Sequence, residues 1–257
     1  MSIDVRIVSI GALSAHPLWG EKEAVRTGHA TTTLITAGKA RILVDPGLPE
    51  KAVVARLAER ANLRPADITH VFLTSFHPDT HRGVGAFDHC PWLIAEAERE
   101  GTGVRLIGML REAVQRGETP LIESLKREVA VMERCTVAGD ALEQDVDLFP
   151  LPGVTPGLAG LLLATGDNTT LICGDAVATS EHLAQRKVLP LCADVEMARR
   201  SFVEAVQIAD VLVLGRDNWV NNPEDFGRFG DEDAPEGADW DPDSGGVDDS
   251  DDEGDER

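Results

Sequence analysis

Hydrophobic and polar positions along this chain fall into blocks whose period changes from one block to the next. Short runs at Val5 to Ile10, Ala30 to Thr36 and Arg41 to Val44 have the length and β-branched content of strands. From about Glu50 to Ala61 apolar residues recur at helical spacing, and the next apolar run, Val71 to Leu73, passes straight into a polar loop. Trp92 to Ala95 reads as a further strand. Between Gly101 and Val137 the period is largely helical, punctuated at Gly117 and Pro120. The second half repeats the alternation. Val146 to Leu151 is followed by a hairpin of Gly160 to Thr165 and Thr169 to Cys173 around Gly166-Asp167-Asn168. Helices at about Ser180 to Arg186 and Val195 to Ile208 then precede a last strand from Val211 to Leu214.

Two strand-rich halves with interspersed helices predict an α/β fold, a four-layer αβ/βα sandwich occupying residues 1–222. After Asn222-Pro223 apolar content collapses, and Asp, Glu, Gly and Pro dominate. Residues 223–257 therefore read as a disordered acidic tail, because they cannot bury enough apolar surface to offset their ordering entropy.

Composition sharpens this division. With 42% apolar residues, 257 positions suffice for one large core. The formal net charge is −21, and Glu224 to Arg257 holds 16 acidic and 2 basic residues, so two thirds of the excess lies in the tail. A body that is only mildly acidic offers no basic stripe for phosphates, which excludes nucleic acid as a partner. The four cysteines, Cys90, Cys135, Cys173 and Cys192, are scattered without a C-x-x-C pair, and no charged-then-apolar leader precedes Val5-Arg6-Ile7-Val8. These features predict a reduced, cytoplasmic protein. No apolar stretch approaches the roughly 20 residues that span a bilayer, so no membrane association is expected.

The loop after Leu73, Thr74-Ser75-Phe76-His77-Pro78-Asp79-Thr80-His81-Arg82-Gly83, brings two imidazoles and a carboxylate to the end of a buried strand. It resembles the ligand loop of the metallo-β-lactamase superfamily, in which a strand ends in Thr-His-x-His-x-Asp-His and a glycine follows. Further landmarks occur in the same order. Arg41-Ile42-Leu43-Val44-Asp45-Pro46-Gly47 is similar to the strand and aspartate turn that precede the motif. Leu151-Pro152-Gly153-Val154-Thr155-Pro156-Gly157 resembles a Pro-Gly-His-Thr-Pro-Gly loop. Leu171-Ile172-Cys173-Gly174-Asp175 resembles the strand ending in a metal-bridging aspartate, and Val211 to Asp217 the final strand that normally ends in Gly-His.

The resemblance implies a sandwich of the metallo-β-lactamase type, but it transfers an incomplete ligand set. Of seven ligand positions, His77, Asp79 and Asp175 match, whereas Ser75, Thr80, Val154 and Arg216 stand where histidines are expected. His81 follows one residue late, a shift of about 3.8 Å along the backbone and, within a helix, of roughly 100°. It is a candidate fourth ligand by proximity.

Two readings of function follow. In the first, His77, Asp79, His81 and Asp175 hold one divalent transition metal, zinc, manganese or iron. Its bound water would attack a small ester, lactone or thioester, with Asp79 or Asp175 as proton acceptor. In the second, the site binds no metal. The Arg216 guanidinium replaces the ionic charge between Asp79 and Asp175, and the fold serves as a binding or scaffolding module whose acidic tail meets a basic protein. A third reading uses Arg82 and Arg216 as an anion-binding pair. Asp45, ahead of Pro46-Gly47, reads as a turn residue, and His16, His29, His70, His89 and His182 as structural or solvated. Asp239 to Ser250 begins like a calcium loop but lacks its final glutamate, which predicts only weak divalent binding.

Overall fold

The computed structural model describes residues 3–166 and 168–222. The tail, with its calcium-like segment, lies outside these residues. Two sheets dominate. The first contains β1 (Ile3–Ser9), β2 (Thr32–Ala37), β3 (Ala40–Val44), β4 (His70–Leu73), β5 (Trp92–Ile94) and β6 (Cys135–Val137), adjacent in that order. Its pairings are antiparallel from β1 to β3 and parallel from β3 to β6. The second contains β7 (Ala141–Glu143), β8 (Val146–Pro150), β9 (Ala159–Thr165), β10 (Asn168–Gly174), β11 (Val211–Leu214) and β12 (Trp219–Asn221), also adjacent in chain order. Here only β10 and β11 run parallel.

The alternation of side chains along a strand explains the layers. Ile35, Ile42, Val44 and Phe72 project from the first sheet into one buried cluster with Val146, Leu161, Leu163, Ile172 and Val213 of the second. Their neighbours Leu34, Leu43, Val71 and Leu73 belong to a separate cluster with Val53 and Leu57 of α1 (Glu50–Ala61). After α2 (Pro78–His81), the crossover from β5 to β6 is made by α3 (Glu96–Arg116) and α4 (Thr119–Arg134), whose Leu106, Val131 and Met132 pack on that same cluster. Following α5 (Ser180–Gln185), α6 (Val195–Ile208) packs against β10 and buries Ala198, Phe202, Ala205 and Val206. The result is the four-layer αβ/βα sandwich that the sequence predicts.

The helical segment departs from its expected bounds at both ends. It starts at Glu96 rather than Gly101, and Cys135 to Val137 leaves the helix to pair with β5 as an edge strand. Gly117, at φ 69°, closes α3, and Pro120 sits in the first turn of α4, where its missing N–H costs nothing. Among the described residues, no helix is long and apolar enough to cross a membrane.

Candidate functional site

The carboxyl ends of β3, β4, β10 and β11 deliver Asp45, the loop from Thr74, Asp175 and Arg216. Each pair is parallel, so its two ends open on one side of its sheet, and Arg216 of the second sheet reaches Asp79 of the first. Close backbone approach draws the ends together. Gly174 adopts φ 52° and ψ −150°, and a Cβ there would lie 2.7 Å from Thr74 Oγ1. At Gly215 a Cβ would meet the Gly174 carbonyl oxygen at 2.3 Å. Only glycine permits either contact. Across the two sheets the Ala159 N–H donates to Thr74 O at 3.0 Å and the Thr31 N–H to Gly215 O at 2.8 Å.

The centre of the site is Arg216. Its Nε and Nη2 donate to Asp175 Oδ1 and Oδ2, each at 2.7 Å, while Nη1 donates to Asp79 Oδ2 at 2.8 Å. The Arg216 side chain is 5% exposed, and the residue's backbone N–H donates to Ala178 O at 2.7 Å. Burial alone would lower its pKa, but the two carboxylates reverse that and raise it. Burial likewise works to raise the pKa of Asp175, and the charge and hydrogen bonds of Arg216 outweigh it, leaving the carboxyl below its ordinary value. Arg82 completes the arrangement: its Nη2 donates to Asp79 Oδ1 at 2.9 Å and its Nη1 to Gly28 O at 3.2 Å. Two carboxylates and two guanidiniums thus balance in charge.

The remaining candidates lie differently. His77 caps α2, its Nδ1 accepting from the Asp79 N–H at 3.2 Å. Although 56% of this side chain is exposed, desolvation by the protein around it lowers the imidazole pKa. His81 is turned into the protein: it is 5% exposed, lies 4.5 Å from the Phe76 ring, and has Nε2 at 3.1 Å from Glu128 Oε2 of α4, at an angle outside hydrogen-bond geometry. The single turn of α2 rotates it away from the carboxylates, so proximity in sequence does not make it a partner of Asp79 and Asp175. Thr80 fills a ligand-histidine position with a satisfied hydroxyl, which donates to Ser75 O at 2.7 Å. Ser75 is buried, and Val154 is half-buried on a loop that receives the Ala193 N–H.

A metal ion does not fit this set. All four carboxylate oxygens of Asp79 and Asp175 are bonded by Arg216 and Arg82, the one imidazole near them points its Nδ1 at a backbone N–H, and the late histidine faces another helix. Among the described residues no three His, Cys, Asp or Glu side chains converge as ligands. Cys173 is fully buried, with its thiol pKa pushed up by burial.

Two supporting carboxylates escaped the sequence reading. Asp45, expected as a turn residue, is 2% exposed with φ 48° and accepts from the Thr74 N–H at 2.9 Å and the Thr74 hydroxyl at 2.7 Å. Burial pushes its pKa up to about 7, against those hydrogen bonds. Glu98 is wholly buried. Its Oε1 accepts from the Phe76 N–H at 2.8 Å and Thr102 Oγ1 at 3.0 Å, its Oε2 from Thr155 Oγ1 at 2.7 Å and the Gly157 N–H at 3.0 Å. It ties the Thr74–Gly83 loop to the Pro152–Gly157 loop.

Beside Asp175 lies a second buried polar group. His182 Nδ1 is 2.9 Å from Thr179 Oγ1, and His16 Nε2 is 3.2 Å from the same hydroxyl. Trp19 stacks on His16 at 4.1 Å. His182 is completely buried, and desolvation lowers its pKa to about 4.

Residues 25–214 match the metallo-beta-lactamase superfamily. No curated protein sequence matches. Among solved structures, a metallo-beta-lactamase candidate from Thermotoga maritima is similar at 17% identity and a TM-score of 0.62, over 86% of this chain and all of that one. AidC, a dizinc quorum-quenching lactonase, is similar at 16% identity and a TM-score of 0.58, over 76% of this chain and 79% of its own. A mutant of the AiiA protein of B. thuringiensis, bound to N-decanoyl-L-homoserine, is similar at 20% identity and a TM-score of 0.54, over 79% of this chain and 88% of its own. At these identities the likeness is one of fold.

Proposed function

This chain belongs to the metallo-beta-lactamase superfamily, and from that premise we propose that it is a metal-independent member whose fold serves binding rather than hydrolysis. The observation that supports this reading is the position of Arg216, which bonds Asp79 and Asp175 at once. A fixed guanidinium supplies positive charge to the two carboxylates but offers no open coordination position and no bound water to activate. Arg216 is engaged with Asp79 and Asp175 and Arg82 with Asp79, which weighs against the reading in which the two arginines hold a substrate anion.

The competing reading, a hydrolase of a small ester, lactone or thioester with one zinc, manganese or iron ion on His77, Asp79, His81 and Asp175, makes two demands. Arg216 would have to leave both carboxylates, and His81 would have to leave Glu128. We assign partner recognition instead to charge: the 16 acidic residues from Glu224 to Arg257 suit a basic protein.

Plasma mass spectrometry of the full chain, purified without chelator and then exposed to zinc, manganese and iron, tests the proposal. No stoichiometric transition metal that depends on Asp175 is expected, and no turnover of p-nitrophenyl acetate or an acyl lactone. One equivalent of metal lost on Asp175→Ala, together with hydrolysis lost in the same variant, would sink it.

A further inference from the structure

On α3, Ala97, Glu100, Val104, Ile107, Arg111 and Val114 recur at intervals of three and four residues and share one helix face. All six are exposed, with Val104, Ile107 and Val114 at 75%, 38% and 57%. The opposite side of the helix does the packing, through Glu98, Leu106 and Ala113. Isolated exposed apolar residues need no explanation, but a stripe in heptad register along a helix of about 31 Å calls for a partner helix. Beside it a groove of about 270 Å³, lined by Gly103, Leu106, Ile107, Val129 and Met132 among others, continues the apolar surface onto α4.

The charges in the stripe specify which partner. Among the described residues neither Glu100 nor Arg111 takes part in an ion pair or a side-chain hydrogen bond, although both lie in the middle of the apolar face. Placing a second α3 antiparallel, about a two-fold axis between Arg105 and Leu106, sets Val104 opposite Ile107, Ala97 opposite Val114 and Glu100 opposite Arg111. The symmetry repeats each pairing, so both unpaired charges of both copies are matched. Gly103 and Gly108 stand on the two flanks of the stripe, and a Cβ at either would meet nothing within 4 Å, so neither shoulder of the face is obstructed. We propose that the α3 face is a homodimer interface in which a second copy of this chain packs antiparallel through Val104 and Ile107 and pairs Glu100 with Arg111. The inference is independent of whether the Arg216 site binds metal.

Sedimentation velocity of the full chain over a range of concentrations tests it, with circular dichroism melts to establish that each variant folds. The parent is expected to dimerise. Arg111→Glu places Glu100 against a like charge at both ends of the interface and should weaken the dimer about tenfold or more. Glu100→Arg combined with Arg111→Glu exchanges the partners and should restore it, an outcome that general surface disturbance would not produce. Val104→Asp should leave a monomer. A parent that stays monomeric at all concentrations overturns the proposal, as does a dimer indifferent to Arg111→Glu and Val104→Asp, or a double exchange that fails to recover association.

Discussion

Arg216 and Asp175 meet through two parallel hydrogen bonds of 2.7 Å, Nε to Oδ1 and Nη2 to Oδ2, a fork-on-fork pairing that fixes both groups. The third contact of the guanidinium, to Asp79, joins the end of β11 to the α2 loop, whose strand lies in the other sheet. An arginine at a ligand-histidine position thus does the cross-sheet bridging that the fold otherwise assigns to metal.

Removing Arg216 should therefore be costly in a pH-dependent way. Arg216→Met leaves the largely buried Asp175 without its partner and facing Asp79, which keeps only Arg82, a loss of about 3 kcal/mol at neutral pH. Without Arg216, the pKa of the Asp175 carboxyl rises, and the deficit should shrink as the pH falls and that group takes up a proton. Urea unfolding of parent and variant at neutral and acidic pH checks this; an equal deficit at both would show that packing, not charge, holds the site.

Restoring donors should restore metal. Val154→His with Arg216→His takes the Arg216 guanidinium off Asp79 and Asp175 and puts imidazoles at two of the four positions where the resemblance expects ligand histidines. Calorimetric titration with zinc should show about one tight equivalent in this double variant and none in the parent. Binding by the parent of comparable strength would mean that Arg216 moves aside readily.

Much of this was legible beforehand. Strands that end in Asp45, Thr74, Asp175 and Arg216 announce themselves as apolar runs stopping at polar residues, and the Arg216 substitution itself suggested a resident cation. Other features were hidden for physical reasons. The spacing of His81 gives its distance along the chain but not its rotation, which depends on where α2 starts. Glu98 has no signature in the sequence, because nothing there marks the four donors from three separate segments that surround it. The three-residue strands β7 and β12 are too short and too polar to show a period.

Glu98 gives a third expectation. Each of its oxygens accepts one backbone N–H and one threonine hydroxyl, so a neutral amide in either orientation would direct an NH2 at a backbone donor. Glu98→Gln should cost about 3 kcal/mol. Hydrogen exchange should localise the loosening to the loops around Phe76 and Gly157. A variant as stable as the parent would reduce this staple to a packing contact.

The last expectation concerns the opposed pH responses of two buried groups. Asp45 titrates near 7 in the folded chain against an ordinary 3.8, so the folded state holds a proton that the unfolded state has released. Its contribution is complete below about pH 4 and is lost as the pH rises to about 7, amounting to about 4 kcal/mol at most. His182 behaves in the reverse sense. Its pKa of about 4 lies below the ordinary 6.5, so its contribution is complete above about pH 6.5 and is lost as the pH falls toward 4, at about 3 kcal/mol. Because the two windows overlap, the contributions offset one another in the parent. Asp45→Asn should unmask the histidine and make stability rise from pH 4 to 7, whereas His182→Gln should unmask the aspartate and make it fall. Denaturant unfolding across that range distinguishes these slopes. Parallel curves for parent and both variants would place the titrating groups elsewhere in the chain.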